Sequence, residues 1–380
     1  MPAKRTLDSF FLPAAKVRKV TPPPSDEPSN PPKEAPTHDP LPSTHPTYPF
    51  PVPPLPSPLH RTLTTAVPAH AGVPLPKHPD LDVLSYTPYV PRPAANDLFR
   101  FLRDELFFYR VEYSIKRGLV DALIKTPRFT TVFGIDATST FSSTGTILDA
   151  RTNNPVPPTS RYKTCAPRPI PACLRTLLET IPHPQSQSQS HPIIQSPPPS
   201  PYNICLVNYY ASARDSISPH SDNEHFLGPE PCIASFSLGG TRDFVLKRKP
   251  PPPVSSSSGA THPSDTPQKR TPKQPSLTIP LRSGDMLLMR GATQRSWLHA
   301  IPKRGPGGGG GEKRRRLGGG KGESLEHEAR INITFRRALV PAGTENYYRY
   351  NVGGGAVWKW DGSGGEMRLW NGEGEREGMM

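Results

Sequence analysis

The chain has 380 residues, but 54 are Pro, 30 are Gly and only 33% are hydrophobic. This composition excludes a chain that is globular throughout, and it leaves roughly 200 to 250 residues to build one domain-sized core. The formal net charge of +14 indicates a polyanionic partner, most simply nucleic acid, although basic tails account for part of this charge.

Cysteine usage and apolar patterning argue against a secreted or membrane protein. The four cysteines form no CxxC pair, which fits reduced intracellular thiols better than a disulfide framework. No apolar run approaches the roughly 20 residues that a membrane span requires. The N-terminus lacks the apolar segment of a secretory signal peptide. We therefore expect an intracellular protein without a membrane span.

Residues 1–80 are rich in Pro, Ser, Thr and His, and they predict an extended or disordered tail. Within it, residues 4–11 place Leu7, Phe10 and Phe11 at the spacing of a sliding-clamp-binding box, in which an aliphatic and two aromatic side chains enter a pocket. Lys4 stands where this box normally has Gln. The alternative is a chance apolar cluster beside a basic nuclear localisation signal. Both interpretations predict a protein of the nucleus.

Helices are predicted first and strands later. Residues 93–110 and 172–181 carry apolar side chains at helical spacing, and we expect Asn96 or a neighbour to cap the first helix. Many short strands after two helices predict a mainly β fold with flanking helices, either a β-sandwich or a jelly roll. Six runs alternate with period two and predict these strands: 202–210, 232–240, 242–249, 276–281, 285–290 and 330–337.

Low-complexity segments interrupt the strands at 183–200, 250–275 and 304–323. We expect surface loops there, because insertions in surface loops cost little free energy. The predicted organisation is a tail at 1–80, one domain at 81–340 that carries three insertions, and an extension at 341–380 of unknown role.

Two histidines and an aspartate predict a metal site. His220 and Asp222 point to the same side if their segment is extended. Together with the downstream His299, they form the two-His, one-carboxylate set of non-haem Fe(II) oxygenases. This set leaves one face of the metal open for a chelating cosubstrate and O2. A similar pair, His78 and Asp80, is excluded because it lies in the predicted tail without a partner.

The run ARINITFRR predicts a strand with one polar and one apolar face, and its polar face carries Arg330, Asn332 and Arg336. Two buried guanidinium groups require anionic partners. One interpretation pairs them with Asp or Glu at the edge of a sheet. The other is a clamp for a dicarboxylate such as 2-oxoglutarate, whose keto acid chelates iron. Asn208 and Tyr210, on one face of an upstream strand, would then add neutral hydrogen bonds.

These motifs resemble the AlkB family of Fe(II)- and 2-oxoglutarate-dependent nucleic-acid dealkylases, and most closely its eukaryotic branch that repairs alkylated DNA bases. The resemblance rests on residues 206–249, 293–304 and 330–337 and extends over 95–340. It implies a double-stranded β-helix core. It also implies an iron site and a 2-oxoglutarate site, and it leaves open which arginine binds which carboxylate. The implied iron ligands are His220, Asp222 and His299, and the implied 2-oxoglutarate ligands are Asn208, Tyr210, Arg330, Asn332 and Arg336.

The resemblance also implies contacts to the nucleic acid. Residues 127–142 are similar to the family's nucleotide-recognition lid, which here includes Arg128, and Phe141 matches the aromatic that holds the flipped base against His220. Asn223 replaces an acidic residue that helps to set base preference, while Glu224 is retained. The family's intercalating finger should lie within 114–128, with Leu119, Val120 or Leu123 as the wedge. Four positions match residues that grip phosphates, with ordinary solvated charge as the alternative: Arg242, Lys249, Lys303 and Arg304.

The implied activity is oxidative dealkylation of N-alkylated DNA bases by a monomer that uses Fe(II), 2-oxoglutarate and O2. The products are succinate, CO2, an aldehyde and the intact base. Two alternatives remain, namely demethylation of RNA or protein by the same fold and a non-catalytic nucleic-acid-binding module. The intact ligand set and arginine pair argue against the second alternative.

Overall fold

The structure is a computed structural model, and it describes residues 52–110, 112–117, 120–157, 161–162, 167–182, 201–250, 274–304, 328–344, 348, 351–352 and 356–370. The side chains of 112–117 and 120–124 are not described. The proposed clamp-binding residues Leu7, Phe10 and Phe11 lie outside the described residues, as does Leu119. The predicted insertion 183–200 lies wholly outside them, and of the other two insertions only residues 250, 274, 275 and 304 are described.

The described residues form four α-helices, which are α1 (Ser57–Thr65), α2 (Arg92–Glu105), α3 (Ala172–Glu179) and α4 (Thr293–Ser296). Helices α2 and α3 confirm the two predicted helices, but the predicted end of the first at residue 110 is wrong, because α2 ends at Glu105 and Phe108–Tyr109 form a short strand. The predicted cap at Asn96 is wrong, because α2 already begins at Arg92 after Pro91 and makes no side-chain capping bond. Pro93 is accommodated in its first turn, where a backbone N–H has no helical partner to lose. None of the described helices is long and apolar enough to span a membrane.

Helix α1 corrects the predicted boundary at residue 80. Leu55, Leu59 and Leu63 are buried in the core that α2 and α3 also enter. Leu59 and Leu63 are four residues apart, so they lie on one face of α1, and Leu55 lies just before the helix. The surrounding prolines conceal this short stripe in the sequence, and the packed domain therefore includes residues that were assigned to the tail.

Eighteen strands occur in the described part of the chain. The first eight are β1 (Val73–Pro74), β2 (Asp82–Tyr86), β3 (Phe108–Tyr109), β4 (Glu112–Arg117), β5 (Val120–Lys125), β6 (Phe129–Gly134), β7 (Ser139–Phe141) and β8 (Ile147–Asp149). The next eight are β9 (Ile204–Tyr210), β10 (Ile217–His220), β11 (Ile233–Gly239), β12 (Arg242–Arg248), β13 (Ser276–Leu281), β14 (Asp285–Arg290), β15 (Trp297–Ile301) and β16 (Arg330–Arg336). The last two are β17 (Val357–Asp361) and β18 (Glu366–Leu369).

The eight strands from β9 to β16 are divided between two antiparallel sheets. The main sheet contains the order β14-β11-β16-β9, and the smaller sheet has the order β10-β15-β12-β13. Apart from the β12–β13 connection, each strand is followed by one in the other sheet. This connectivity is that of a jelly roll. It confirms the predicted mainly β fold with flanking helices.

Apolar layers cover both faces of the main sheet. On the outer face, Leu98 and Leu102 of α2 share a core with Ile331, Ile333 and Phe335 of β16. The second core lies between the two sheets and joins side chains such as Leu287, Phe244 and Trp297. The prediction that β16 has one apolar face is therefore confirmed, and its polar face lies between the sheets.

The C-terminal segment also belongs to this fold. Strand β17 pairs with β3 at one edge of the main sheet, and β18 pairs with β17. Trp358 packs edge-on against Phe129, with 5.3 Å between ring centroids, and the guanidinium of Arg103 lies 4.3 Å from the ring of Trp360. Residues 356–370, which the sequence placed in an extension of unknown role, thus complete the sheet.

Candidate metal centre and cosubstrate pocket

Strand pairing brings the two candidate histidine ligands together. Strands β10 and β15 are antiparallel, and His220 lies directly opposite His299. His299 lies in the middle of β15, a strand that is not among the six runs predicted from the sequence. Asp222 follows β10 by two residues. One ligand atom from each of the three residues lies within 4.8 Å of the other two.

The geometry of the three side chains suits one small cation. The Nε2 atom of His220 lies 3.6 Å from Oδ1 of Asp222, and Nε2 of His299 lies 4.0 Å from Oδ2. The Nδ1 atom of His220 is 2.8 Å from the carbonyl oxygen of Ser218. Since a carbonyl can only accept, Nδ1 carries the proton and Nε2 presents its lone pair to the centre of the group.

The electrostatic environment keeps these ligands in the state that binds metal. Burial lowers the pKa of His299 to about 3, and burial also lowers the pKa of His220 below its usual value. Burial alone would raise the pKa of Asp222, but the charge and hydrogen bonds of Arg336 offset this effect and hold that pKa well below its usual value. Two neutral imidazoles therefore face one carboxylate at neutral pH, as a divalent metal requires.

Arg336 contacts this group directly. Its side chain is buried, and its Nη2 and Nε atoms donate to Oδ2 of Asp222 at 2.6 and 3.1 Å. Of the two interpretations of the arginine pair, bonding to an acidic residue therefore describes Arg336 in this structure. That acid is itself a candidate metal ligand, so the guanidinium lies at the edge of the metal site.

Arg330 has a different environment at the other end of the same strand. It is 1% exposed, its Nε donates to Oγ of Ser237 at 2.8 Å, and its guanidinium lies 5.3 Å from the ring centre of Tyr210. Burial lowers its pKa to about 10, so the group is still charged at neutral pH. Within the described part of the chain, its Nη1 atom has no hydrogen-bond partner. A carboxylate from a ligand would satisfy this buried donor, which fits 2-oxoglutarate.

The amides between the two arginines belong to the same polar face. Asn332 lies opposite Asn208, and Arg330 lies opposite Tyr210, in the β16–β9 ladder. Asn332 donates through Nδ2 to Oγ of Ser235 and to the carbonyl of Phe236. The structure therefore places all five predicted 2-oxoglutarate ligands on one face of two adjacent strands.

The predicted base-contacting residues differ in their burial and in their contacts. Arg128 donates through Nε to Oδ1 of Asn208 at 2.8 Å, and so it reaches the cosubstrate face. Phe141 is half-buried at the end of β7, and Asn223 is exposed. The Oε2 atom of Glu224 is buried and has no partner among the described residues. Burial, reinforced by the charge of Asp222, raises the pKa of Glu224 to about 7.

The structure changes the assignment of two predicted phosphate contacts. Arg242 is 1% exposed and donates to the carbonyls of Asp215 and Pro302, both at 2.7 Å, so its guanidinium does not face solvent. Lys249 is half-buried and donates to groups beside the metal ligands. Of the other two, Lys303 is exposed and Arg304 is half-buried.

Sequence reasoning missed Gln294 of helix α4. This side chain is buried, and its Oε1 accepts a hydrogen bond from the backbone N–H of Asp222 at 2.9 Å. An isolated Gln carries no spacing signal, and 72 residues separate it from Asp222. Only the folded chain shows this contact.

Comparison with known proteins defines the class to which this fold and site belong. Residues 82–336 match the 2OG-Fe(II) oxygenase superfamily, so the chain belongs to that superfamily. Its members are named for the two groups that the site fits, Fe(II) and 2-oxoglutarate.

Curated relatives then narrow the resemblance. The chain is 37% identical over 143 residues to DNA oxidative demethylase ALKBH2 of Arabidopsis thaliana, and 36% identical over 135 residues to alpha-ketoglutarate-dependent dioxygenase alkB homolog 3 of Rattus norvegicus. It is 30% identical over 139 residues to human DNA oxidative demethylase ALKBH2. These matches confirm the resemblance to the AlkB family that the motifs indicate.

The matched segments are short relative to the whole chains. They cover 36–37% of this chain and 35–41% of the three relatives. A solved structure, "The structure of OsALKBH1", aligns over 70% of this chain and 100% of that one, with a TM-score of 0.35 and 17% identity. The fold described above rests on the strand order of this chain alone.

Proposed function

We propose that the chain is a DNA oxidative demethylase that removes alkyl groups from nitrogen atoms of damaged bases. The observation that carries the proposal is the position of two buried arginines on β16, one beside the His220–Asp222–His299 group and one with an unpartnered donor. A candidate metal site that contacts the polar face of β16 through the Arg336–Asp222 ion pair fits Fe(II) with 2-oxoglutarate bound beside it. Two of the relatives named above are DNA oxidative demethylases, which supports DNA as the substrate.

The two arginines take different ends of the cosubstrate in this proposal. Arg336 lies at the metal ligands and would hold the carboxylate next to the keto group, while Arg330 with Tyr210 would hold the distal carboxylate. Asn208 and Asn332 would orient the ligand between them. When bound, Fe(II) and 2-oxoglutarate supply the oxidation of the N-alkyl carbon by O2, with release of succinate, CO2 and an aldehyde. The protein contributes the positions of these groups and a site from which water is excluded.

The target base has to leave the DNA stack to reach this site, which costs a few kcal/mol and less for a damaged base. We assign its recognition to Arg128, Phe141, Asn223 and Glu224. Arg128 donates to the candidate cosubstrate residue Asn208, and Asn223 and Glu224 directly follow Asp222. The unpartnered Oε2 of Glu224 is suited to accept a hydrogen bond from an exocyclic amino group. The β4–β5 hairpin, whose strands are joined between Arg117 and Val120, is the proposed finger that fills the vacated space. Exposed Lys303 and half-buried Arg304 remain the proposed phosphate contacts.

The test compares duplex DNA with RNA that carries the same N-methylated base. We expect succinate and repaired base to form in equal amounts from DNA, with 2-oxoglutarate and iron both required. Faster repair of RNA would instead support an RNA demethylase of the same family. Tight DNA binding with no succinate above the level of a His299→Ala control would support a non-catalytic binding module.

A partner and a location are proposed from the N-terminal residues alone. Leu7, Phe10 and Phe11 fit a sliding-clamp-binding box, and the neighbouring basic residues fit import into the nucleus. A flexible link to the clamp would raise the effective concentration of a monomeric enzyme at its substrate without altering its active site. Titration of a labelled 1–20 peptide with purified clamp tests this, and we expect micromolar-class binding. Equal binding by the Phe10→Ala, Phe11→Ala peptide would leave only the nuclear signal.

A further inference from the structure

The amine of Lys249 lies beside the metal ligands rather than on the outer surface. Its Nζ donates to Oγ of Ser221 at 2.8 Å and to the backbone carbonyl of Gln294 at 2.9 Å. Ser221 is the residue between the ligands His220 and Asp222, and it is buried. The backbone N–H of Lys249 is also bound, to the carbonyl of Ser296 at 2.9 Å. Two of the three Nζ protons are thus directed to groups that flank the metal site.

Gln294 holds the same turn through a different atom. Its side-chain Oε1 accepts from the N–H of Asp222 at 2.9 Å, and its Nε2 lies 3.4 Å from Sδ of Met289. The carbonyl that accepts from Lys249 belongs to this same residue. Three hydrogen bonds therefore link the end of β12 to α4 through the turn that carries the ligands, and they involve Lys249, Ser221, Asp222 and Gln294.

We propose that Lys249 and Gln294 are positioning residues that fix the turn from His220 to Asp222 so that its two ligands face His299. This inference rests on the proposed function, because it assigns the residues a role toward the bound metal. Hydrogen bonds that hold metal ligands in place are typically worth 10- to 100-fold in metal affinity or activity.

The alternative role for Lys249 is the phosphate contact that the resemblance implied. Three features favour the positioning role. The side chain is half-buried, two of its three donors are already used within the fold, and burial lowers the pKa of the amine. Lys247, two residues earlier, is exposed and provides a matched control that carries the same charge on the same segment.

Binding of Mn(II) to the metal-free protein measures the effect without turnover. We expect Lys249→Met and Gln294→Met each to raise the Kd for Mn(II) by about 10-fold, and Lys247→Met to leave it unchanged. Urea unfolding of the metal-free variants separates this effect from a loss of fold. The Co(II)-loaded proteins provide a second readout, since the visible spectrum of Co(II) changes when its ligands move. An unchanged Kd together with an unchanged spectrum in Lys249→Met would overturn the inference.

A double-mutant cycle tests whether Lys249 acts through Ser221. If it does, the Ser221→Ala, Lys249→Met double variant has about the same Kd for Mn(II) as the single variant that binds more weakly, because both changes remove the same hydrogen bond. Strictly additive losses would contradict this link.

DNA binding distinguishes the two roles of Lys249 directly. If Lys249 contacts a phosphate, log affinity falls less steeply with log salt in Lys249→Met, and the slope is smaller in magnitude by about 0.9. The positioning role predicts no change in that slope, measured on unmodified duplex. If the wild-type protein binds Mn(II) and only the Lys249 and Gln294 effects are missing, this inference fails alone. If the wild-type protein binds no Mn(II), the proposed function fails with it.

Discussion

Asp222 combines two roles, since it is a candidate metal ligand and also the acidic half of a buried ion pair with Arg336. These roles predict different consequences for two ligand substitutions. His220→Ala removes a metal ligand that is partly exposed, and the metal-free fold should be little affected. Asp222→Ala also leaves a buried guanidinium without its carboxylate, which typically costs 3 to 5 kcal/mol.

We therefore expect both variants to lose metal binding and turnover, but only Asp222→Ala to lower the free energy of unfolding of the metal-free protein, by about 3 kcal/mol. Urea unfolding of the two variants at neutral pH measures this difference. Equal stability would show that the Arg336–Asp222 pair contributes nothing net to the fold.

Arg330 supports a prediction about the cosubstrate alone, because it contacts no metal ligand. Replacing it with Met removes a charge-assisted contact to a carboxylate, which is typically worth about 1.5 to 3 kcal/mol, or roughly 10- to 100-fold in affinity. Arg330→Met should raise the KM for 2-oxoglutarate by that factor and leave the affinity for Mn(II) unchanged. The exposed Arg337 provides the control, and Arg337→Met should behave as wild type. An unaltered KM in Arg330→Met would remove Arg330 from the cosubstrate pocket.

At the scale of elements, the sequence predicted those helices and strands whose apolar side chains follow a regular spacing. Strand β16 alternates strictly between polar and apolar side chains, and α3 carries its leucines on one stripe, so both were predicted from spacing alone. Strand β15 has five residues with a His at its centre, and its partners β10 and β12 are distant in sequence, so its pairing left no local signal. Helix α1 was not predicted because the prolines on both sides of it are typical of an unpacked tail.

The C-terminal hairpin β17–β18 supports a prediction about the stability of the fold. Trp360 stacks on Arg103 and lies 6.4 Å from the ring of Tyr209, so it ties the added edge to α2 and β9. We expect Trp360→Ala to lower the free energy of unfolding by about 2 to 3 kcal/mol, through lost packing and a lost cation–π contact. Leu369 of β18 is 58% exposed, and Leu369→Ala should stay within about 0.5 kcal/mol of wild type. Thermal or urea unfolding of both variants checks this, and equal stabilities would show that the hairpin is not part of the cooperative core.

For the whole molecule, the motifs predicted which residues the fold brings together in the candidate site, but not the contacts of each side chain. The HxD pair, the distal His and the two arginines were identified from type and spacing. The fold places the two histidines on the smaller sheet, and the Arg336–Asp222 ion pair joins this group to the polar face of β16. The directions of Arg242 and Lys249 could not be predicted in this way. The sequence predicts a surface charge for a basic residue on a strand unless its tertiary neighbours are known. Here Arg242 donates to carbonyl groups and Lys249 donates to Ser221.

The insertions at 250–275 and 304–323 support a prediction that concerns affinity for nucleic acid and not catalysis. The segment 250–275 joins β12 to β13, whose ends are held by a hydrogen bond from the N–H of Arg248 to the carbonyl of Pro275 at 3.0 Å. A short turn can therefore replace 251–273 at little cost. The segment 304–323 carries four consecutive basic residues, from Lys313 to Arg316, in a glycine-rich context.

We expect a variant without 251–273 to keep its melting temperature and its turnover on a methylated mononucleotide. A variant without 307–323 should keep the same turnover but show a flatter dependence of log DNA affinity on log salt, because each lost phosphate contact reduces the slope by roughly 0.7 to 0.9. Replacing only the four basic residues with Gln provides the matched control for the second variant, and it should reproduce the flatter slope at unchanged loop length. If removal of both segments abolished turnover on the mononucleotide, the insertions would have to contribute to the active site itself, since so small a substrate makes no use of distant phosphate contacts.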